Sequence, residues 1–177
     1  SAMSMLLAAP TGDAEEATVR VDGRELRFTN LNKLYWPEDG FAKRDLINYY
    51  DRVAHFILPY LEDRPLSLKR YPDGIHADYF FQKDMPEHRP AWLRTVKIWS
   101  EHNQGPTNYV IANDRASLLY LANLGCIDQN PWLSRVETID HPDFVLIDLD
   151  AQECPFDMIV EAALLVKKVL DSLGMQG

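Results

Sequence analysis

The chain has 177 residues, of which 46% are hydrophobic and 25% charged, a composition that supplies enough apolar residues for a core. The formal net charge of −9 argues against indiscriminate coating of nucleic acid, but it does not exclude a local basic groove. No apolar run approaches the roughly 20 residues of a membrane span. The two cysteines, Cys126 and Cys154, are too few for a disulfide framework and favour a reducing cytosol.

The first third of the chain predicts a leader, a hairpin and a helix. Residues 1–16 are expected to be a tag remnant followed by a flexible leader. The pair Asp22–Gly23, between two short runs of strand-forming residues, predicts a two-residue β-hairpin turn. Apolar residues recur at helical spacing over residues 43–58, and Pro59 follows them, so the sequence predicts a helix that ends at this proline.

The remainder of the chain predicts strands and two helices. Four strands are expected, at residues 66–71, 78–83, 94–99 and 108–112. Asp114 is placed to cap a helix that stops before Gly125. Residues 144–149 are the strongest predicted strand, and Pro155 opens a helix that runs to Gly174. The pattern predicts an α/β fold in one compact unit, with a mixed or antiparallel sheet and flanking helices.

Asp148 and Asp150 end the strongest predicted strand and are the first candidates for chemistry. Side chains alternate along a strand, so both carboxylates are expected on one face. Two neighbouring anions repel each other, and a divalent cation removes that conflict, because hard oxygen ligands suit Mg²⁺ or Mn²⁺. Such ions bridge substrate phosphates during phosphoryl transfer. The spacing leaves an alternative open, in which Asp148 faces solvent and Asp150 caps the following loop.

Basic residues and one aromatic pair suggest contact with nucleic acid. The candidates for a phosphate-binding surface are Asn30, Lys33, Lys43 and the pair Lys69–Arg70. Cations and amides bind phosphate oxygens without reading base sequence. On a strand, one ring of the pair Phe80–Phe81 faces the core while the other is free to stack on a base. The alternatives are ordinary solvated lysines, and core packing of both rings at a bend.

Several longer motifs follow one another in a recognisable order. They are TNLNKLYWP at residues 29–37, RPLSLKRYPDG at 64–74, FFQK at 80–83, NPWLSR at 130–135 and HPDFVLIDLD at 141–150. Together they resemble the polymerase domain of bacterial DNA ligase D, a branch of the archaeo-eukaryotic primase superfamily. The resemblance runs from about residue 18 to the end of the sequence, and it implies a primase–polymerase-like fold.

The resemblance also implies an activity and partners. Members of this family act in non-homologous end joining with Ku and with ligase and nuclease domains of the same pathway. They add ribonucleotides or deoxynucleotides from nucleoside triphosphates to gapped or broken DNA ends that carry a 5′-phosphate. The resemblance further implies a two-metal site with Mn²⁺ or Mg²⁺, and a bacterial cytoplasmic protein associated with the nucleoid.

The family's functional residues can be matched by position in this sequence. The matches are Asp148 and Asp150 as catalytic metal carboxylates, Asn30, Lys33 and Lys43 as the 5′-phosphate pocket, Phe80 and Phe81 as rings that pack on the DNA end and template base, and Lys69 and Arg70 as contacts to DNA or nucleotide. These roles are what the resemblance implies, and they agree with the chemistry expected of the residue types.

Two departures from the family's pattern change the expectation. Some relatives carry a histidine in the segment 127–130, where this chain has Gln129. The family also has a Ser-Gly-x-Gly-x-His triphosphate-binding motif and a later third metal carboxylate, and neither occurs in this sequence. Residues 17–177 are therefore expected to be the N-terminal part of a primase–polymerase domain, truncated before the second half of the catalytic subdomain and inactive alone.

Two other classes of function are compatible with the sequence. The first is a non-catalytic module that binds DNA 5′-phosphate ends through Asn30, Lys33 and Lys43. The second is a metal-dependent phosphoesterase that uses the same two carboxylates. The phosphoesterase is the weaker hypothesis, because the sequence has no histidine-rich or additional acidic cluster.

Overall fold

The computed structural model describes Ala9, residues 12–101 and residues 103–176, in two compact units that divide between Asp143 and Phe144. The strands are β1 (Ala17–Val21), β2 (Arg24–Phe28), β3 (Leu34–Trp36), β4 (Phe41–Ala42), β5 (Leu66–Arg70), β6 (Phe80–Gln82), β7 (Thr95–Ser100), β8 (Gly105–Val110) and β9 (Cys126–Pro131). The helices are α1 (Lys43–Leu61), α2 (Arg115–Asn123) and α3 (Phe156–Ser172), and a short 3₁₀ turn covers Val136–Thr138. All strand pairs are antiparallel within the described ranges, so the predicted α/β class with an antiparallel sheet is confirmed.

Ala9 packs on α1. Residues 1–8, 10 and 11 of the predicted leader lie outside the described residues. Ala9 is fully buried, and its backbone N–H and C=O both bond the side-chain amide of Asn48, at 2.8 and 3.0 Å. The backbone carbonyl of Glu15 accepts a hydrogen bond from the N–H of Leu31 at 2.8 Å. Ala9 therefore contacts helix α1, and Glu15 contacts the loop before β3.

The predicted hairpin is confirmed as β1 and β2. Asp22 and Gly23 have φ angles of 49° and 79°, the two positive values that a tight turn between twisted strands requires. Val21, Leu26 and Phe28 are buried in the core of the first unit.

The predicted first helix is confirmed, and it ends two residues later than predicted. The carboxylate of Asp45 accepts from the N–H of Ala42 at 2.8 Å, while the N–H groups of Lys43 and Arg44 donate to carbonyls of the preceding loop. These contacts satisfy donors that a helix start leaves open. The helix continues past Pro59 to Leu61, because a proline near the last turn removes only one hydrogen bond.

The main sheet is centred on β5. It has the order β6-β5-β8-β7, and β9 also pairs with β5 over its whole length. Leu66 and Leu68 are fully buried on one face, whereas Ser67 and Lys69 lie on the other. Strand β9 was not predicted, because Asp128, Asn130 and Pro131 are poor strand formers and the strand depends on its pairing with β5.

The predicted second helix and its cap are confirmed. The side chain of Asp114 accepts from the N–H of Ser117 at 2.8 Å at the start of α2. Gly125 follows the helix with a φ of 77°, and a Cβ there would come within 2.7 Å of the hydroxyl of Tyr35. A glycine is therefore required by both conformation and space.

The prediction of a buried strand at residues 144–149 is wrong. Residues 144–149 form no strand, and the side chains of Phe144, Val145 and Leu146 are 45%, 55% and 73% exposed. An apolar run becomes a buried strand only where a neighbouring strand satisfies its backbone, and no described strand pairs with this run. The helix that follows is present as α3, with no buried residue along its length. None of the described helices is both long and apolar enough to cross a membrane.

Candidate functional site

Three cations from separate parts of the first unit meet at one place. Lys33 lies in the loop before β3, Lys43 begins α1, and Arg70 ends β5. The N–H of Lys43 donates to the carbonyl of Lys33 at 2.8 Å, and the charges of Lys33 and Arg70 both act on the Lys43 ammonium. We call Lys33, Lys43 and Arg70 the cation cluster. Neighbouring positive charges repel, so this arrangement is suited to an anionic ligand.

Lys43 is the least solvated member of the cation cluster. Only 4% of the residue is exposed, and its ammonium donates to the backbone carbonyl of Thr29 at 2.7 Å. Burial, followed by the charges of Lys33 and Arg70, lowers the pKa of Lys43 from 10.5 to about 8. The folded protein therefore holds this positive charge at a cost that a bound anion would relieve.

Lys33 and Asn30 shape the loop beside Lys43. Asn30 has a φ of 54°, a left-handed conformation that asparagine tolerates better than most residues, and its carbonyl accepts from the N–H of Lys33 at 3.0 Å. The Lys33 ammonium donates to the carbonyl of Pro72 at 3.0 Å and lies 2.6 Å from a carboxylate oxygen of Asp73. The structure thus brings the three predicted phosphate-pocket residues together, and their role stays a prediction.

Arg70 and Lys69 separate onto opposite faces of β5. The Arg70 guanidinium donates to the carbonyl of Leu124 and to the side chain of Gln82, both at 2.8 Å, and burial lowers its pKa. Its cross-strand neighbour is Phe80, whose ring centre lies 5.0 Å away. The two basic residues were predicted as one pair of contacts, but strand alternation puts only Arg70 with the cation cluster.

Lys69 lies among aromatic rings on the other face. Its ammonium is 4.2 Å from the ring centre of Tyr79, 5.4 Å from that of Tyr71 and 5.9 Å from that of Phe81. A carboxylate oxygen of Asp128 lies 3.8 Å from the ammonium. A hydrogen bond with Tyr71 is the main cause of the raised pKa of Lys69. The ammonium is therefore held in its charged form beside one buried ring, Tyr71, and two exposed rings, Tyr79 and Phe81.

The aromatic pair is exposed on both faces of β6. Phe80 and Phe81 are 43% and 60% exposed, so neither ring is packed in the core. Tyr79 meets Phe81 edge to face, with ring centres 6.0 Å apart. Exposed rings beside cations suit the stacking of unpaired bases, and the predicted stacking role stays a prediction.

Asp148 and Asp150 lie in the second unit, in a segment without secondary structure rather than at the end of a buried strand. Both are exposed. Among the described residues, no group of three or more histidine, cysteine, aspartate or glutamate side chains is arranged to hold a metal ion. The predicted metal role of the pair therefore rests on these two carboxylates and stays a prediction.

Sequence reasoning missed two participants in the site. Asp73 contacts Lys33, and Tyr35 contributes a hydroxyl 3.5 Å from the carbonyl of Pro72. Burial raises the pKa of Tyr35 to about 12, so the hydroxyl keeps its proton. The turn Pro72–Asp73–Gly74 was a visible signal, but only the folded chain shows that it faces Lys33.

Gln129, the departure from the family's histidine, lies opposite Leu68 on β9. Both polar atoms of its amide are buried, with no hydrogen-bond partner in the described part of the chain. The structure assigns it no role.

The first unit is thus an antiparallel α/β domain with a cluster of cations beside its main sheet. Residues 42–177 match the family described as LigD, primase-polymerase domain, and the chain belongs to that family.

Relatives extend the comparison. The chain is 30% identical to the bifunctional non-homologous end joining protein LigD of Bacillus subtilis, over 85% of this chain and 24% of that protein. It is 29% identical to the multifunctional non-homologous end joining protein LigD of Mycolicibacterium smegmatis, over 85% of this chain and 20% of that protein. It thus spans about a quarter or less of each.

A solved structure shares the fold. The polymerase domain of Mycobacterium tuberculosis ligase D, in complex with DNA, superposes with a TM-score of 0.70 and 23% identity. The match covers 83% of this chain and 54% of that one. This confirms the primase–polymerase-like fold expected from the sequence.

Proposed function

We propose that this chain recognises the 5′-phosphate of a DNA end, as part of a polymerase domain that acts in non-homologous end joining. The observation that carries the proposal is the convergence of Lys33, Lys43 and Arg70 in the first unit. Family membership and the names of the relatives, which include end joining, supply the biological setting.

The cation cluster has the chemistry of a terminal phosphate site. Two ammonium groups and one guanidinium offer charge-assisted hydrogen bonds, and the planar guanidinium can bind two oxygens at once. Asn30 is exposed beside them and adds an amide donor. A phosphate that reaches Lys43 offsets the cost of keeping that buried ammonium charged.

The proposed reaction is the addition of ribonucleotides or deoxynucleotides from nucleoside triphosphates to gapped or broken ends. Asp148 and Asp150 supply hard oxygen donors, and Mg²⁺ is commonly held by one or two carboxylates plus substrate phosphates, so the donor type fits Mg²⁺ or Mn²⁺. Bound there, the ion would neutralise developing charge on the phosphates. In this proposal, residues 17–177 are the N-terminal part of the domain.

The exposed rings supply the remaining contacts. Phe80 and Phe81 offer faces for stacking at the DNA end and template base, while Lys69 and Arg70 contact DNA or nucleotide on opposite faces of β5. Ku and the ligase and nuclease domains of the same pathway are the proposed partners.

Replacing Lys33 with alanine tests the end-binding proposal. We expect affinity for a gapped duplex with a 5′-phosphate to fall about fivefold, since one charge-assisted contact to phosphate is lost, while affinity for the 5′-hydroxyl duplex stays nearly unchanged. Fluorescence anisotropy with the two duplexes measures both. Lys97, an exposed residue on β7, gives a control variant with the same loss of charge.

Equal affinity of the unaltered chain for phosphorylated and hydroxyl ends would count against the proposal. So would an equal loss of binding in the Lys97→Ala control.

A second candidate function is a non-catalytic module that binds 5′-phosphate ends. It is favoured by the cation cluster, which lies wholly within the first unit, whereas the two carboxylates have no third acidic partner among the described residues. Nucleotide addition decides between the two. The catalytic proposal expects the natural full-length protein to extend a gapped, 5′-phosphorylated duplex with Mn²⁺, and expects Asp148→Asn to abolish extension. Binding of DNA ends without extension would favour the non-catalytic module.

A further inference from the structure

One member of the cation cluster, Lys33, is paired with a carboxylate of the protein itself. A carboxylate oxygen of Asp73 lies 2.6 Å from the Lys33 ammonium. Within the described residues, Asp73 is the single carboxylate within ion-pair distance of Lys33, Lys43 or Arg70. We propose that Asp73 occupies the phosphate position of Lys33 as a competing anion, which a DNA 5′-phosphate displaces readily and free inorganic phosphate displaces only at higher concentration. This inference rests on the proposed end-binding function.

The carboxylate of Asp73 is free to leave. Its side chain is 69% exposed and that of Lys33 is 36% exposed, and an ion pair between groups so well solvated contributes little to stability. When the carboxylate leaves, Lys33 keeps its hydrogen bond to the carbonyl of Pro72 at 3.0 Å. The ammonium therefore stays in position for the incoming phosphate.

The turn that carries Asp73 stays in place during this exchange. Gly74 has a φ of 95°, and a Cβ there would lie 3.0 Å from the carbonyl oxygen of Leu34. The next residue, Ile75, donates its N–H to the carbonyl of Tyr35 at 2.9 Å. Because the backbone is fastened to β3 on this side, displacement needs only a rotation of the Asp73 side chain.

The competition explains how such a basic site can remain selective. Three cations attract any small anion, and free phosphate is the simplest ligand of this kind. Free phosphate has only its charge with which to displace Asp73. A phosphorylated DNA end brings additional contacts along the duplex, and their free energy adds to that of the terminal group. Asp73 thus raises the concentration of free phosphate that is needed to occupy the site, while the DNA end still binds through its additional contacts.

Replacing Asp73 with asparagine tests the proposal. The change keeps the size of the side chain and removes its charge. We expect binding of a 5′-phosphorylated gapped duplex to tighten about fivefold, and the concentration of inorganic phosphate that half-displaces this duplex to fall by a similar factor. Binding of the 5′-hydroxyl duplex should not change. Anisotropy titrations with and without inorganic phosphate give all three values.

Asp78→Asn is the matched control, since it removes the same charge from the exposed segment that follows this turn. It should alter none of the three values. Asp73→Ser provides a second variant if the asparagine variant loses its melting transition.

The outcomes separate the two proposals. Unchanged or weaker binding of phosphorylated ends by both Asp73 variants would overturn the competition, since it would mean that Asp73 steadies Lys33. Equal tightening by Asp78→Asn would overturn it as well. A wild-type chain that does not distinguish 5′-phosphate from 5′-hydroxyl ends would instead overturn the end-binding function itself.

Discussion

Replacing Arg64 with alanine is expected to lower the free energy of unfolding by roughly 3 kcal/mol. The Arg64 side chain is 3% exposed, and it donates to a carboxylate oxygen of Asp143 at 2.6 Å and to the carbonyl of Trp132 at 3.1 Å. The substitution leaves a cavity and removes the donor of that carbonyl. Asp143 is 43% exposed and regains water, so the loss comes from packing and hydrogen bonding rather than from a stranded charge.

Urea unfolding measures this loss, and Arg94→Ala is its control. Arg94 also pairs with an aspartate, Asp63, but its side chain is 50% exposed. An exposed ion pair contributes about 1 kcal/mol or less, so the control should unfold near the wild-type midpoint. Arg64→Lys keeps the charge without the forked donors and should lie between the two. Similar midpoints for the two alanine variants would show that burial of Arg64 does not matter.

Replacing Lys43 with methionine is expected to weaken binding of 5′-phosphorylated ends by about twentyfold while leaving the protein at least as stable at pH 7. The buried ammonium is the least hydrated donor of the cation cluster, so its contact with phosphate is the strongest. Methionine fills a similar volume without a charge to desolvate. The lost hydrogen bond to the carbonyl of Thr29 offsets part of that gain.

The stability difference between these two proteins should depend on pH in a defined direction. Burial lowers the pKa of Lys43 from 10.5 to about 8, so between these pH values the unfolded chain holds a proton that the folded chain has released. Wild-type stability therefore rises with pH across this window, whereas Lys43→Met lacks this contribution. The advantage of the variant should be largest below pH 8 and should shrink towards pH 10.5.

Binding should respond to pH in the opposite sense. Phosphate favours the charged form of Lys43, so above about pH 8 the wild-type chain must take up a proton to bind, and its preference for 5′-phosphate ends should fall. Anisotropy between pH 7 and pH 9 measures the fall. Lys33→Arg keeps Lys43 and should retain it, while Lys43→Met should show little. A fall of the same size in Lys43→Met would show that a group other than Lys43 causes the pH dependence.

Local signals in the sequence predicted their elements well. The turn at Asp22–Gly23 and the cap at Asp114 form because neighbouring residues alone determine them. Strand alternation puts Lys69 and Arg70 on opposite faces of β5, whereas the sequence analysis had taken them as one pair of contacts. The family resemblance predicted Asn30, Lys33 and Lys43 as one phosphate pocket; the three residues lie close together, and the pocket itself stays a prediction.

Features that depend on distant partners could not be predicted in this way. Strand β9 forms because β5 pairs with it, despite an unfavourable local sequence. The run 144–149 has the opposite property, since its composition favours a strand but no described strand pairs with it. Asp73 lies 40 residues from Lys33 along the chain, so its contact in the site appears only in the fold.

The order of Lys69 and Arg70 at the end of β5 determines which basic group lies on which face of the sheet. Exchanging Lys69 and Arg70 would leave the composition, the net charge and the strand itself unaltered. It would nevertheless place a guanidinium among the rings of Tyr71, Tyr79 and Phe81, and an ammonium beside the carbonyl of Leu124. Lys69 and Arg70 are therefore not interchangeable, because a variant with the two residues exchanged would have each basic group on the opposite face of the sheet.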